Sequence, residues 1–402
     1  MGPGTEGLSA LRDMVEIGMG RTARRTYELQ DVNIVPSRRT RSSKEVSTAW
    51  QLDAYRFDTP ILSHPTDAIG SPDFAIELGK LGGLGVLNAE GLFSRHRDAE
   101  AQLEQVVELA AGDITGIAAI RRLQELHAAP LDAELLAAAV GRVRDAGVTV
   151  AVRVSPQRAR ELTPVLIKAG IDLLVIHGTI ISAEHVSAEE SAAEPLNLKT
   201  FIGDLDVPVV AGGVSDHRTA LHLMRTGAAG VIVGYGSAEG ATTTREVLGI
   251  GVPMATAIAD AAAARRDYLD ETGGRYVHVI ADGDIYSAGD VARAIACGAD
   301  ATMLGAPLAV AAEAPGKGWY WPSVAAHPSV PRGAVAPAQL GGLDAGEGSP
   351  AGAAPSLQTI LTGPSTEPNG QLNLVGGLRR SMAKAGYSEL KEFQKVGLNV
   401  AY

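Results

Sequence analysis

Tyr276-Val-His-Val-Ile-Ala-Asp-Gly283 is a near-continuous apolar run that stops on an acidic residue and a glycine. Ala301-Thr-Met-Leu-Gly305 repeats the form, and between the two lies Ala288 to Ala296, with apolar residues at helical spacing. Short runs of this kind suit strands buried on both faces of a parallel sheet, and the helical segment suits the crossover that joins parallel neighbours. Toward the N-terminus six more runs follow the same pattern: Pro60 to Asp67, Gly85 to Glu90, Val148 to Ser155, Leu173 to Gly178, Val207 to Gly213 and Gly230 to Gly236. Helical periodicity fills Pro72 to Leu81, Pro156 to Ala169, His217 to Thr226 and Val252 to Leu269, and Gly170, Gly227 and Gly298 stand where helices should stop. Eight alternating units predict an α/β fold, a single (β/α)8 TIM barrel, over residues 1–402.

Two stretches fall outside the repeat. Residues 98–145, between the second and third strands, predict a helical insertion of two or three helices. Residues 333–355 are rich in Gly, Ala and Pro and predict a flexible, flap-like segment with little apolar area to bury. From Leu372 to Lys395 helical spacing returns, with Leu374, Leu378 and Met382 placed to dock this tail on the barrel.

Composition narrows the function classes. Of 402 residues 46% are apolar but only 4% aromatic, so the core must be built mostly from Ala, Val, Leu and Ile. A formal charge of −11 disfavours nucleic acid and anionic membranes, both of which need a basic surface. The one cysteine, Cys297, allows neither an intrachain disulfide nor a cysteine-based zinc site, and no metal is expected. Without an apolar leader or a membrane-length apolar segment, a cytoplasmic protein is expected.

In a barrel of this type the working face lies at the C-terminal ends of the strands. Those positions hold His64, Thr66, Asp67, Asn88, Glu90, Arg153, Ser155, His177, Thr179, Gly212, Gly213, the loop Gly234 to Thr244, Asp282, Gly283, Asp284, Gly305 and Ala306. Asp282-Gly283 and Gly305 follow the seventh and eighth strands, whose loops commonly hold a phosphate in this fold. Gly234-Tyr-Gly-Ser-Ala-Glu-Gly240 is a weak match to a dinucleotide fingerprint, which belongs at the first turn of a different fold. His64 and His177 are either catalytic or bonded to a neighbouring loop. Cys297 falls on a helix and reads as a packed residue.

Val279 to Ile285, Ile295 to Asp300, Leu304-Gly305, Glu313-Ala-Pro-Gly316, Val252 to Ala257, Leu81 to Gly85 and Leu374 to Arg379 together resemble the IMP dehydrogenase/GMP reductase family. The resemblance spans the barrel and the tail, and is nearest to the short paralogues of actinobacteria that lack CBS modules. It implies oxidation of IMP to XMP with NAD or NADP through a cysteine thiolate, a purine nucleotide as ligand, and a homotetramer. The family's cysteine position falls on Thr242, or on Ala241 if the loop is one residue longer. Asp282 matches the ribose-binding carboxylate, and Gly283 and Gly305 are retained beside it. Asp284 stands for a glycine of the phosphate loop, Ala306 for a phosphate-binding serine, and His64 and Thr66 for residues lining the nucleotide pocket. His177 takes the place of a cofactor-contacting aspartate, with Gly234 and Gly236 on the same side.

Three readings follow. The chain is an IMP dehydrogenase-like oxidoreductase of purine metabolism, or a catalytically silent paralogue that binds a ligand or partner and modulates guanine-nucleotide synthesis, or a barrel with unrelated chemistry on His64, His177 and Asp282. Asp284 either faces the phosphate, which its charge would repel, or caps the helix that follows.

Overall fold

All eight runs form strands in the computed structural model, which describes residues 14–113, 115–183, 196–236, 244–329, 333–338 and 354–400. They are β1 (Ile61–Ser63), β2 (Val86–Asn88), β3 (Ala151–Val154), β4 (Leu173–His177), β5 (Val209–Val214), β6 (Gly230–Val233), β7 (His278–Asp282) and β8 (Ala301–Leu304). From β2 to β8 each pairs in parallel with the next, and β8 pairs with β1. A single bridge, Leu62 to Leu84, closes the ring between β1 and β2, with backbone hydrogen bonds of 3.0 Å on either side. There the hydroxyl of Ser63 takes over one backbone partner, accepting from Val86 N at 2.8 Å. Gly85 is required beside it, since a Cβ would sit 2.3 Å from the Cα of Ala75 in the covering helix.

Every strand residue is buried, which explains why the runs are apolar throughout rather than alternating. Helices Pro72–Lys80, Ala159–Ala169, His217–Met224, Met254–Thr272 and Ala288–Cys297 lie outside the ring. The expected insertion contains three helices, Ala99–Gly112, Ile117–His127 and Ala133–Asp145. The third packs between Pro72–Lys80 and Ala159–Ala169, and so takes the regular place after β2; only the first two are additions.

The N-terminal mouth is plugged by a hairpin, Trp50–Leu52 with Tyr55–Phe57, whose Leu52 is fully buried. Tail helix Leu374–Ala385 docks on Ala288–Cys297, so closely that a Cβ on Gly377 would meet that of Ala288 at 2.3 Å. Beyond the tail helix a strand, Leu398–Val400, pairs antiparallel with Val32–Ile34. Of the stretch expected to be flap-like, residues 336–337 pair with Trp319–Tyr320 and Val335 is buried, while 339–353 lie outside the described residues. Among the described residues no helix is long and apolar enough to cross a membrane.

Candidate functional site at the strand ends

Three strands aim side chains at one point. Just past the end of β1, His64 is fixed by its own amide, which donates to Leu304 O on β8 at 2.8 Å. Asp282 ends β7 and His177 ends β4, on the opposite side of the ring. His64 Nδ1 lies 3.0 and 3.2 Å from the two carboxylate oxygens of Asp282, in hydrogen-bond geometry. His177 Nε2 lies 3.3 Å from Asp282 Oδ2 but is poorly aligned, and no acceptor or donor meets it in hydrogen-bond geometry. The two imidazoles meet edge to face, with centroids 5.1 Å apart.

All three are buried, and burial sets the electrostatics. Desolvation alone would raise the Asp282 carboxyl, but the adjacent imidazoles, His64 foremost, hold it well below the usual carboxylate range. Burial lowers the His177 imidazole; Asp282 opposes this, while His64 and Arg153 add to it.

Glycines bring the loop after β6 onto this cluster. Gly234 takes φ +105°, and a Cβ there would fall 2.1 Å from the carbonyl oxygen of Asp282. Gly236 N donates to that same oxygen at 3.0 Å, and a Cβ on Gly236 would touch the His64 ring at 3.2 Å. Gly283, at φ +150°, lies against Gly236 O. These glycines are explained by the close approach of backbone to β7 and His64. Thr242 and Ala241 lie outside the described residues, as does the rest of that loop to residue 243.

The other expected positions separate into two groups. Gly305 and the buried Ala306 follow β8 and begin the short helix Ala306–Ala309, offering no side-chain hydroxyl there. Thr66, although beside His64 in sequence, is turned into the core and donates its hydroxyl to Trp321 O. Asp284 takes φ +49°, the left-handed region that suits the glycine it replaces, and accepts from the Tyr286 hydroxyl at 3.2 Å. It does not cap the following helix. Ser287 does, in a capping box with Asp290, because its hydroxyl stands one residue before the first helical turn.

Two buried polar residues, Arg153 and Asp67, were expected at the strand ends without a role, and the structure gives each one. Arg153 donates to His177 O through Nε at 3.2 Å and Nη2 at 2.9 Å, and to Asn88 Oδ1 at 3.2 Å, which fixes the backbone carrying His177. A lone charge inside the apolar run Val148 to Ser155 was the available signal. Asp67 bonds His127 Nε2 at 2.9 Å, tying the inserted helix to the loop after β1. Nothing local links residues so far apart in sequence.

Cys297 ends a helix that leads into β8, and so lies toward the N-terminal face, opposite the strand ends. It is partly buried, and burial pushes its thiol up to about 11.

A closed parallel barrel with a polar cluster at its strand ends defines an enzyme-type scaffold. The family model for the IMP dehydrogenase / GMP reductase domain matches residues 26–336, and the chain belongs to that family. It is 72% identical over 387 residues to an uncharacterized oxidoreductase of Mycolicibacterium smegmatis, covering 96% of this chain and all of that one. The crystal structure of an IMP dehydrogenase/GMP reductase-like protein from Corynebacterium glutamicum superposes with a TM-score of 0.89 at 59% identity, covering 98% of this chain and 100% of that one. Identity to the inosine-5'-monophosphate dehydrogenase of Haemophilus influenzae is 43% over 154 residues, 38% of this chain and 28% of that protein.

Proposed function

We propose that this protein binds a purine nucleotide at the strand ends of its barrel and does not oxidise IMP by the thiolate route of its family. The carrying observation is the place of Cys297: the sequence has no other cysteine, and this one lies toward the opposite face with its thiol pushed up to about 11. A thiolate attacks a purine carbon readily near neutral pH, whereas a hydroxyl such as that of Thr242 needs a base to do so. Gly283 and Gly305 at the ends of β7 and β8 support nucleotide binding, since they keep the positions that the family uses, whereas the carboxylate of Asp282 is buried and taken up by His64.

By the same resemblance, NAD or NADP would lie toward His177, Gly234 and Gly236, and the assembly would be a homotetramer. The protein then acts as a ligand-responsive paralogue that modulates guanine-nucleotide synthesis. Thermal unfolding against a panel of purine nucleotides and NAD(P) tests this, because a ligand selective for the folded state raises the midpoint by mass action. At least one purine nucleotide should raise it. A flat response to the whole panel contradicts the reading.

A further inference from the structure

The cluster formed by His64, His177 and Asp282 has a property that nucleotide binding does not explain. One ligand-competent atom from each residue lies within 4.8 Å of the other two, and all three side chains are buried. The separations from Asp282 Oδ2 are 3.0 Å to His64 Nδ1 and 3.3 Å to His177 Nε2. Neighbouring ligands of a tetrahedral ion with bonds near 2.0 Å stand about 3.3 Å apart.

His177 Nε2 supplies the second, independent observation. It is buried and faces the carboxylate at 3.3 Å, but is too poorly aligned to make a good hydrogen bond to it. If that nitrogen carried a proton, a hydrogen bond to Asp282 would be the expected arrangement; if it carried a lone pair, the pair would face an anion. A cation between the two groups resolves both cases. It would also balance a buried carboxylate that among the described residues bonds only to histidine.

We propose that His64, His177 and Asp282 bind a divalent first-row transition-metal ion, of the Zn2+ or Fe2+ type, with the proton that His64 Nδ1 donates to Asp282 moved to Nε2 so that Nδ1 can ligate. Two imidazoles and one carboxylate are the donor set of open zinc sites and of non-haem iron sites, and leave coordination positions free. The surroundings hold the ligands in place. Gly236 lies against the His64 ring, and Arg153 grips the carbonyl of His177. That guanidinium is itself a buried cation and favours a site of modest rather than extreme affinity. The absence of any metal expected from the sequence came from counting cysteines, and this site uses none.

The inference stands without the nucleotide reading, since the ion is to be measured with no nucleotide present. Untagged full-length protein, stripped with a chelator, should take up one equivalent of Co2+ and develop the visible ligand-field bands of a low-coordinate site, with Zn2+ displacing it. His177→Ala should weaken Co2+ binding by at least about a hundredfold, no less than the loss of an outer partner costs a metal site. His217→Ala, which removes a surface histidine paired with Asp267, should leave binding unchanged. Should His177→Ala not fold, anomalous diffraction from Zn2+-soaked wild-type crystals decides the matter: a peak between His64, His177 and Asp282 supports the site. No uptake by wild-type protein, a peak elsewhere, or unchanged Co2+ affinity in folded His177→Ala overturns it.

Discussion

The two ends of the barrel each bury an aspartate among aromatic and basic neighbours, and they treat it in opposite ways. At the N-terminal end, Asp300 accepts from Arg265 Nη1 at 2.6 Å, Val279 N at 2.8 Å, Tyr276 OH at 2.7 Å and Gln394 Nε2 at 3.1 Å. One carboxylate there joins a ring helix, two strand starts and the tail. The nearby His278, its imidazole lowered by burial, makes edge contacts with Trp50 and Tyr276 rather than a hydrogen bond. At the C-terminal end Asp282 bonds His64 and leaves His177 Nε2 unmatched. An unmatched imidazole nitrogen occurs at both ends, so the difference lies in the carboxylates: Asp300 is held by four donors from helix, strand starts and tail, whereas Asp282 meets only histidine, at the end where this fold places its site.

Breaking the saturated end should have the largest effect. Asp300→Ala strands the buried Arg265 and should cost about 3–5 kcal/mol in urea unfolding. A loss under about 1 kcal/mol would end the distinction between the faces. The next largest effect concerns Cys297. With its thiol pushed from 9.0 to about 11, the thiolate appears only at higher pH. Two pH units correspond to roughly a hundredfold less thiolate near pH 8, so alkylation should be slower by about that factor than for a free thiol. Its rate should still be climbing through about pH 10, and a plateau below that would show an activated cysteine.

Smaller effects sharpen the contrast on the working face. Asp284→Gly should tighten IMP binding by about three- to tenfold at low salt, and by less as salt rises, since a half-exposed carboxylate is partly screened. Unchanged affinity in calorimetry would mean that the Tyr286 contact turns its charge away from the phosphate. The smallest effect should come from His177→Leu in metal-free protein. Removing an unmatched nitrogen should leave stability unchanged or raise it by up to about 1 kcal/mol. A loss above roughly 2 kcal/mol would make His177 a structural partner like Arg265.

The barrel was legible because each strand is buried on both faces, so its run is apolar without interruption, and because glycines stop the helices between runs. The helix Ala133–Asp145 read as part of an insertion because nothing in its own sequence says that it packs between Pro72–Lys80 and Ala159–Ala169. For the site, strand ends gave the list of polar residues but not their grouping. His64, His177 and Asp282 converge because β1, β4 and β7 point inward across a closed ring, whereas Thr66, two residues on from His64, turns into the core toward Trp321. Of the two readings open for Asp284, the helix cap fails for a local reason. Asp284 and Ser287 are both good capping residues, and the left-handed backbone at Asp284 delays the helix until after Ser287.

The thiolate route of the family needs a cysteine on the working face, and the one cysteine of this chain lies toward the other. Intact-mass spectrometry of protein incubated with IMP and NAD, with NADH absorbance followed in the same sample, tests this most directly. The expected result is an unmodified chain and no NADH above background. A covalent purine adduct, or NADH formation that Thr242→Val abolishes, would contradict it and would restore the family's oxidation of IMP with a hydroxyl in the cysteine's place.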